Sequence, residues 1–465
     1  MSATEGKPIL EPLICRLPTE LLQDIFHIVA QQSKTIRHIR LTCRYWRDLI
    51  ASNHTLPRRI AIQHEIYPME SEYPYTRMWD YYAHTMKGLA RALGYTQGSN
   101  FELYVTLNKP LFLEEEEEEE GETEEGALVP WGQFKTHCTS FVVFSDHRLV
   151  YPSLLEFMGH LPTLDNLTNL SITGNSTTIS SIIQHIPPDR SRLQSLVLSS
   201  DLDLGQLGNT SIYKHNQQIL KRLRRFSASW DLSVPFLKAL LASFEDLEEL
   251  TFSSEPTFPE QDLDLIRQTV DWKFQPRVLE IDIMMLPMFP PSLLGGLTKL
   301  SLYNWVHEET IGADDPKLEL PRLTSLSLHR SRSGLFRFEA PNLRDLHLSF
   351  TRWNEHFDRC QSLRPTLVEI QDLGESVSAF LLNPPFPDIN ELHIYAGFLG
   401  KFKLPELLSL SLSGPSPLLP KLRHLLVTKH FSRPNELERF ERELLGATSG
   451  RDQLISVRCT SPRLQ

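Results

Sequence analysis

The sequence lacks any CxxC pair, and its five cysteines (Cys15, Cys43, Cys138, Cys360 and Cys459) are scattered along 465 residues. An odd, dispersed set does not make a disulfide framework and fits a reducing compartment. No run of about 18 or more apolar residues occurs, which excludes a membrane-spanning helix by length. The N-terminus, MSATEGKPIL, has no basic stretch followed by an apolar one. No secretory leader is therefore expected, and sequons such as Asn166-Leu167-Thr168 read as chance matches. Catalytic signatures are missing too: there is no GxSxG, no GxxxxGK[ST], no HExxH and no GxGxxG opening a helix. The 17 histidines show no metal-ligand spacing to cysteine or to one another. These absences predict a soluble cytoplasmic or nuclear protein, not an enzyme, without metal or cofactor, and with no membrane partner.

Charge of one sign is also scarce once a single segment is set aside. The net charge is −11, but Glu114–Glu120 is an unbroken run, and Glu122, Glu124 and Glu125 extend it. The remainder is nearly neutral, so no chain-wide electrostatic pull on a partner follows. A block of that composition cannot bury apolar area to offset its ordering entropy, so 114–125 is expected to be a disordered insert.

What the sequence does contain begins with LPTELLQDIFHIVAQ at 17–31. Pro18 and Glu20 suit the first turn of a helix. Leu21, Leu22, Ile25, Phe26, Ile28 and Val29 fill two adjacent faces, where a surface helix usually shows one stripe. A second block, LTCRYWRDLI at 41–50, repeats the theme with Cys43, Trp46, Leu49 and Ile50. Residues 13–60 thus read as three helices after a flexible tail (1–12), followed by a helical connector over 61–100. A unit this small needs support from the rest of the chain or from another protein. The local excess of Lys34, Arg37, Arg40, Arg44, Arg47, Arg58 and Arg59 over Asp48 raises a DNA-binding helix-turn-helix as a competing idea. Against it, the third helix spends its positions on Trp46, Leu49 and Ile50 instead of polar base-reading side chains, so nucleic acid is not an expected partner.

Beyond 101 the chain is repetitive. A segment of the form L-x-x-L-x-L recurs as LTNLSI at 167, LQSLVL at 193, LRRFSA at 223, LEELTF at 247, VLEIDI at 278 and LTKLSL at 297. It continues as LTSLSL at 323, LRDLHL at 343, LVEIQD at 367, INELHI at 389, LLSLSL at 407 and LRHLLV at 422. Alternating apolar positions mark short strands with one buried face, and stretches such as Val234–Leu241 between them suit helical crossovers. Phe101–Leu107 alternates in the same way.

The spacing, with a mean of about 23 residues, resembles the leucine-rich repeat. This resemblance implies an irregular solenoid with a curved parallel sheet across 101–465, one strand per repeat. The usual asparagine after the motif is present only at Asn175; residues such as Asp201, Glu255, Trp305 and Thr351 replace it, so the turns must be satisfied otherwise. The two N-terminal blocks closely resemble the F-box pattern LPxELLxxIF … LVCRxWRxL, with Thr42 as a small departure. The whole is then an α/β chain in which a three-helix F-box precedes the repeats. That family resemblance implies docking on the Skp-family adaptor of a cullin–RING ubiquitin ligase through Leu17, Pro18, Glu20, Leu21, Leu22, Ile25, Phe26, Val29, Cys43, Trp46, Arg47 and Leu49. Some of these are shared with the unit's own core. The repeats would capture a protein substrate, the alternative being a scaffold that directs no ubiquitination.

Side chains alternating with the buried leucines would line the concave face. Many are small and hydroxylated, for example Ser227, Thr251, Ser409, Ser411 and Ser413. Lys299, Tyr303, His329, Asp345, His347, His393 and Tyr395 stand out as candidate substrate contacts, because aromatic residues exposed on a sheet are typical anchors. The other reading is that they are surface residues which merely suit a strand. A zinc site built from His329, His347 and His393 is disfavoured by the want of a cysteine or carboxylate to complete it.

Overall fold

The computed structural model describes residues 58–63, 81–83, 89–90, 92–94, 99–106, 129–145, 157–174, 176–199, 217–229, 234–253, 260–303, 317–329, 337–349, 362–371, 375–384, 386, 388–396, 404–412, 418–429, 434–448 and 456–460. The expected tail, the three N-terminal helices and the acidic insert lie outside them, as do the turn positions Asn175, Asp201, Glu255, Trp305 and Thr351. The chain divides into two compact units, 1–202 with 210–219, and 203–209 with 220–465.

In the first unit, β1 (Arg58–Gln63), β2 (Tyr81–Ala83), β3 (Phe101–Thr106), β4 (Cys138–Phe144), β5 (Asn169–Thr173) and β6 (Ser195–Ser199) form a parallel array in the order β2-β1-β3-β4-β5-β6. Ile60, Leu103, Phe141, Leu170 and Leu196 stand in register across five of these strands, each at most 5% exposed. Short α1 (Gly132–His137) leads directly into β4, and α2 (Ser176–Ile183) follows β5. Strands β1 and β2 correct the expectation of a purely helical connector over 61–100. Trp79–Leu93 is not one helix, because Tyr81–Ala83 pairs in parallel with β1. In β1 the β-branched, buried Ile60 suits a pleated strand.

The second unit repeats the plan. Its strands are β7 (Arg225–Ser229), β8 (Glu249–Phe252), β9 (Val278–Asp282), β10 (Lys299–Tyr303) and β12 (Ser325–His329), then β14 (Asp345–Ser349), β15 (Leu367–Gln371), β16 (Glu391–Ala396), β17 (His424–Lys429) and β18 (Ser456–Thr460), adjacent in that order and parallel. A separate parallel pair, β11 (Lys317–Glu319) with β13 (Arg337–Glu339), sits in the linking segments. One buried row runs Phe226, Leu250, Leu279, Leu300, Leu326, Leu346, Val368, Leu392 and Leu425, none more than 2% exposed. Each such side chain contributes about 1.5–3 kcal/mol on leaving water, so the row outweighs any single polar contact on the opposite face.

The connecting helices are α3 (Val234–Ser243), α4 (Glu260–Thr269), the four-residue α5 (Pro291–Leu294), α6 (Glu375–Leu382), α7 (Leu404–Leu412) and α8 (Pro434–Thr448). Three crossover helices bury the same i, i+3, i+4 triplet: Ile179, Ile182 and Ile183 in α2, Leu237, Leu240 and Leu241 in α3, and Val377, Phe380 and Leu381 in α6. That spacing is one face of a helix. Helix α3 is the crossover expected at Val234–Leu241.

The repeat motif maps onto strands with three corrections. VLEIDI and LVEIQD are each displaced by two residues: the buried positions are Leu279 with Ile281 and Val368 with Ile370, fixed by register to Leu300 with Leu302 and to Leu346 with Leu348. Val278 and Leu367 imitate the motif's first leucine, a place Pro276 and Pro365 occupy. LLSLSL is not a strand. Leu404 and Leu408, one turn apart, are buried, Glu406 lies in the first turn of α7, and β16 pairs directly with β17, which leaves no slot between them. Ser409 and Ser411 therefore belong to a helix, and Ser413 lies outside the described residues.

A recurring pair of backbone bonds joins successive strand entrances. The carbonyl of Thr298 accepts N–H bonds from Thr324 (2.9 Å) and Ser325 (3.1 Å), and that of Thr324 accepts from Arg344 (2.9 Å) and Asp345 (3.0 Å). The pattern recurs at Arg344, Thr366 and Asn390. Threonine hydroxyls reinforce it, Thr324 donating to Thr298 O (3.0 Å), Thr298 to Arg277 O (3.1 Å) and Thr168 to Thr139 O (2.9 Å). The second position of LTNLSI, LTKLSL and LTSLSL thus carries a polar ladder that joins successive repeats.

Candidate functional site

Strand alternation sends the remaining side chains of β9 to β17 to the face opposite the buried row, here the open face. Register sorts them into three lines. The first holds Lys299, Ser325, Asp345, Leu367, Glu391 and His424; the middle holds Glu280, Ser301, Ser327, His347, Glu369, His393 and Leu426. The third holds Asp282, Tyr303, His329, Ser349, Gln371, Tyr395 and Thr428. Asp282 is fully buried and its carboxylate accepts from Met284 N at 2.8 Å, capping the 3-10 turn after β9.

The rings of Tyr303 and His329 stack at 4.6 Å with 10° between planes, and His347 follows 5.3 Å from His329. Tyr303 donates its hydroxyl to Glu280 Oε1 at 2.6 Å. Burial and this carboxylate raise the phenol's pKa, so it stays a donor across the physiological range. Burial, with the neighbouring His347 second, lowers that of His329. Beyond His347 runs a chain of acid and imidazole: His347 Nδ1 to Glu369 Oε2 (2.8 Å), Glu369 Oε1 to His393 Nδ1 (2.9 Å), and His393 Nε2 to Glu391 Oε1 (2.8 Å). The hydrogen bond from His347 is the main cause that holds the Glu369 carboxyl below the ordinary glutamate range, opposed by burial and aided by His393. Burial, and then the charge of Glu369, push the Tyr395 phenol up.

The seven candidates therefore do not form one knot. Tyr303, His329, His347 and His393 join a continuous line across β10 to β16. Tyr395 shares the register line of Tyr303 and His329, beside Gln371 and one line away from His393. Lys299 and Asp345 are exposed at the strand entrances with Ser325 between them. Two residues that sequence reasoning missed complete the line: Glu280 and Glu369. Both sit in the repeats read two residues late. Parity survives that shift, so their place on the open face was readable, but the histidine on each side of Glu369 is not visible without the register. The premise against a zinc site also changes, since carboxylates do stand beside His347 and His393. They are engaged with the imidazoles, and among the described residues no group of His, Cys, Asp and Glu is arranged to hold a metal ion.

At the β7–β8 end the open face differs. Arg225 pairs with Glu249 at 3.1 Å, both well exposed, and Ser227 stands in register with Thr251. Cys138 is free and buried, and burial pushes its thiol far up, which leaves it unreactive.

Residues 14–63 match the F-box-like family model. No curated protein matches the chain. The chain thus carries an F-box-like segment whose last residues form β1 of the parallel-strand repeat sheet. The twelve residues that the F-box resemblance assigns to adaptor contact, Leu17 to Leu49, lie outside the described residues. No helix among the described residues is long and apolar enough to cross a membrane.

Proposed function

We propose that this protein is the substrate-recognition subunit of an SCF-type ubiquitin ligase. Its F-box-like segment docks on a Skp-family adaptor and its repeat sheet captures a protein substrate. The observation that carries this reading is the F-box-like match at 14–63 on the same chain as an open sheet face lined by half-buried rings. An apolar, two-faced helix is suited to helix-in-groove docking, and half-buried aromatic groups are suited to anchoring a partner. The protein itself performs no bond chemistry and works in the cytoplasm or nucleus. It raises the effective concentration of its partner near the ubiquitin-charged enzyme.

Co-expression with a Skp-family adaptor and a cullin tests the reading. The full chain should co-purify with both, removal of 14–57, which spares β1, should abolish this, and proteins retained by the repeats should gain ubiquitin only in the complete assembly. Adaptor binding without any ubiquitinated partner would instead identify a scaffold. Alanine at Tyr303, His347 and Tyr395 together should abolish partner retention and leave adaptor binding intact; unchanged retention rules out the open face as the capture site.

A further inference from the structure

On the open face of β9 to β16, apart from the buried Asp282, the carboxylates Glu280, Asp345, Glu369 and Glu391 face a single formal cation, Lys299, among the described residues. Their centre is the pair Glu369 and Glu391, whose side chains remain 28% and 40% exposed. His393 lies between them with both ring nitrogens within 2.9 Å of a carboxylate oxygen. A neutral imidazole has one N–H to give and one lone pair, so satisfying both oxygens takes one additional positive charge at this spot. The ring supplies it when protonated. When it is neutral, a guest cation can supply the missing donor.

We propose that this face seats a protein segment presenting an arginine or lysine, the cation reaching Glu369 and Glu391 while the segment lies along the Tyr303–His329–His347 row. The proposal rests on the capture reading above and names the chemistry of the partner. A guanidinium matches two carboxylate oxygens with paired donors. Proton and guest compete for the same oxygens. The groups facing them are His329 from β12, Asp345 and His347 from β14, Glu369 from β15, Glu391, His393 and Tyr395 from β16, and His424 from β17.

The test is fluorescence anisotropy with a labelled Gly-Ser-Arg repeat peptide and its Gly-Ser-Glu counterpart, against the full chain bound to its adaptor. Glu114–Glu120 are replaced by serine, since that run would itself attract arginine. The arginine peptide should bind about tenfold tighter than the glutamate one, and Glu369→Gln with Glu391→Gln should weaken it about fivefold. Equal binding of the two peptides, or binding indifferent to the double substitution, overturns the proposal. If the double variant fails to fold, the more exposed Glu391→Gln alone decides it, and no loss of binding there is fatal. Partner retention separates the two levels. If alanine at Tyr303, His347 and Tyr395 lowers retention but the glutamine pair does not, capture stands and its cationic basis fails. If neither lowers it, the capture reading fails.

Discussion

The two ends of the second unit's sheet share one core and carry two different surfaces. Towards β7 and β8 the open face holds small hydroxyl groups and one exposed ion pair, Arg225 with Glu249. From β9 to β16 it holds interlocked rings and acid–imidazole bonds, half-buried and in register. Below both runs the same line of apolar side chains from Phe226 to Leu425. The repeat therefore sets the strand and its buried positions alike at each end, and leaves the alternate positions free to be specialised. Recognition in such a fold is read from the alternate positions alone.

The core side should treat the two ends equally. Leu250→Ala in β8 and Leu328→Ala in β12 each remove a side chain with no exposure, and each should cost about 2–5 kcal/mol in urea unfolding. A large disparity between them would break the claim of a common core. Neither substitution touches the open face, so partner retention measured at a temperature where both variants are folded should be unchanged.

How much of this was legible in the sequence depends on which interactions are local. Alternation within each strand is local, and it located β5, β6, β10, β12, β14, β16 and β17 from the motif alone. The helical triplet at Leu237, Leu240 and Leu241 is local in the same sense. Register is not local. Two repeats were displaced because Val278 and Leu367 are apolar residues at the wrong offset, and only pairing with the next strand reveals it. LLSLSL fits both periods over so short a length, and the direct pairing of β16 with β17 decides for the helix. The F-box-like segment is the opposite case: it is legible as a residue pattern at fixed spacing, without any geometry. The candidate site was half legible for these reasons. Its rings stand out in any one strand, whereas Glu369 acquires meaning only between His347 and His393.

The acid–imidazole chain should show itself in a pH dependence that the β7–β8 end lacks. Glu369 has its pKa lowered by His347 and His393. A carboxyl whose folded pKa lies below its unfolded value stabilises the protein above the unfolded value, and that stability is lost as pH falls through the folded one. Wild type should therefore melt above Glu369→Gln at about pH 6, by about 2–4 °C for a loss near 1 kcal/mol. The gap should close below about pH 4 as the carboxylate protonates. A gap that persists unchanged in acid would mean that glutamine disturbs packing instead of removing a charge.

Tyr303→Phe is a narrower cut at the same surface. It keeps the stack on His329 and deletes the 2.6 Å bond to Glu280. The expected cost is about 1 kcal/mol, with a modest loss of partner retention; a full loss would show that the hydroxyl itself, and not the ring, makes the contact.

The smallest effect belongs to the other end. Arg225 and Glu249 lie 3.1 Å apart, but their side chains are 64% and 38% exposed. Water and salt screen such a pair, and holding two long side chains in one geometry costs rotamer freedom. A double-mutant cycle with Arg225→Ala and Glu249→Ala should return a coupling of about 0.5 kcal/mol or less, vanishing at high salt. Partner retention should not move. A coupling as large as that between His347 and Glu369, or a loss of partner on either substitution, would erase the distinction between the two ends and extend the working surface along the whole sheet.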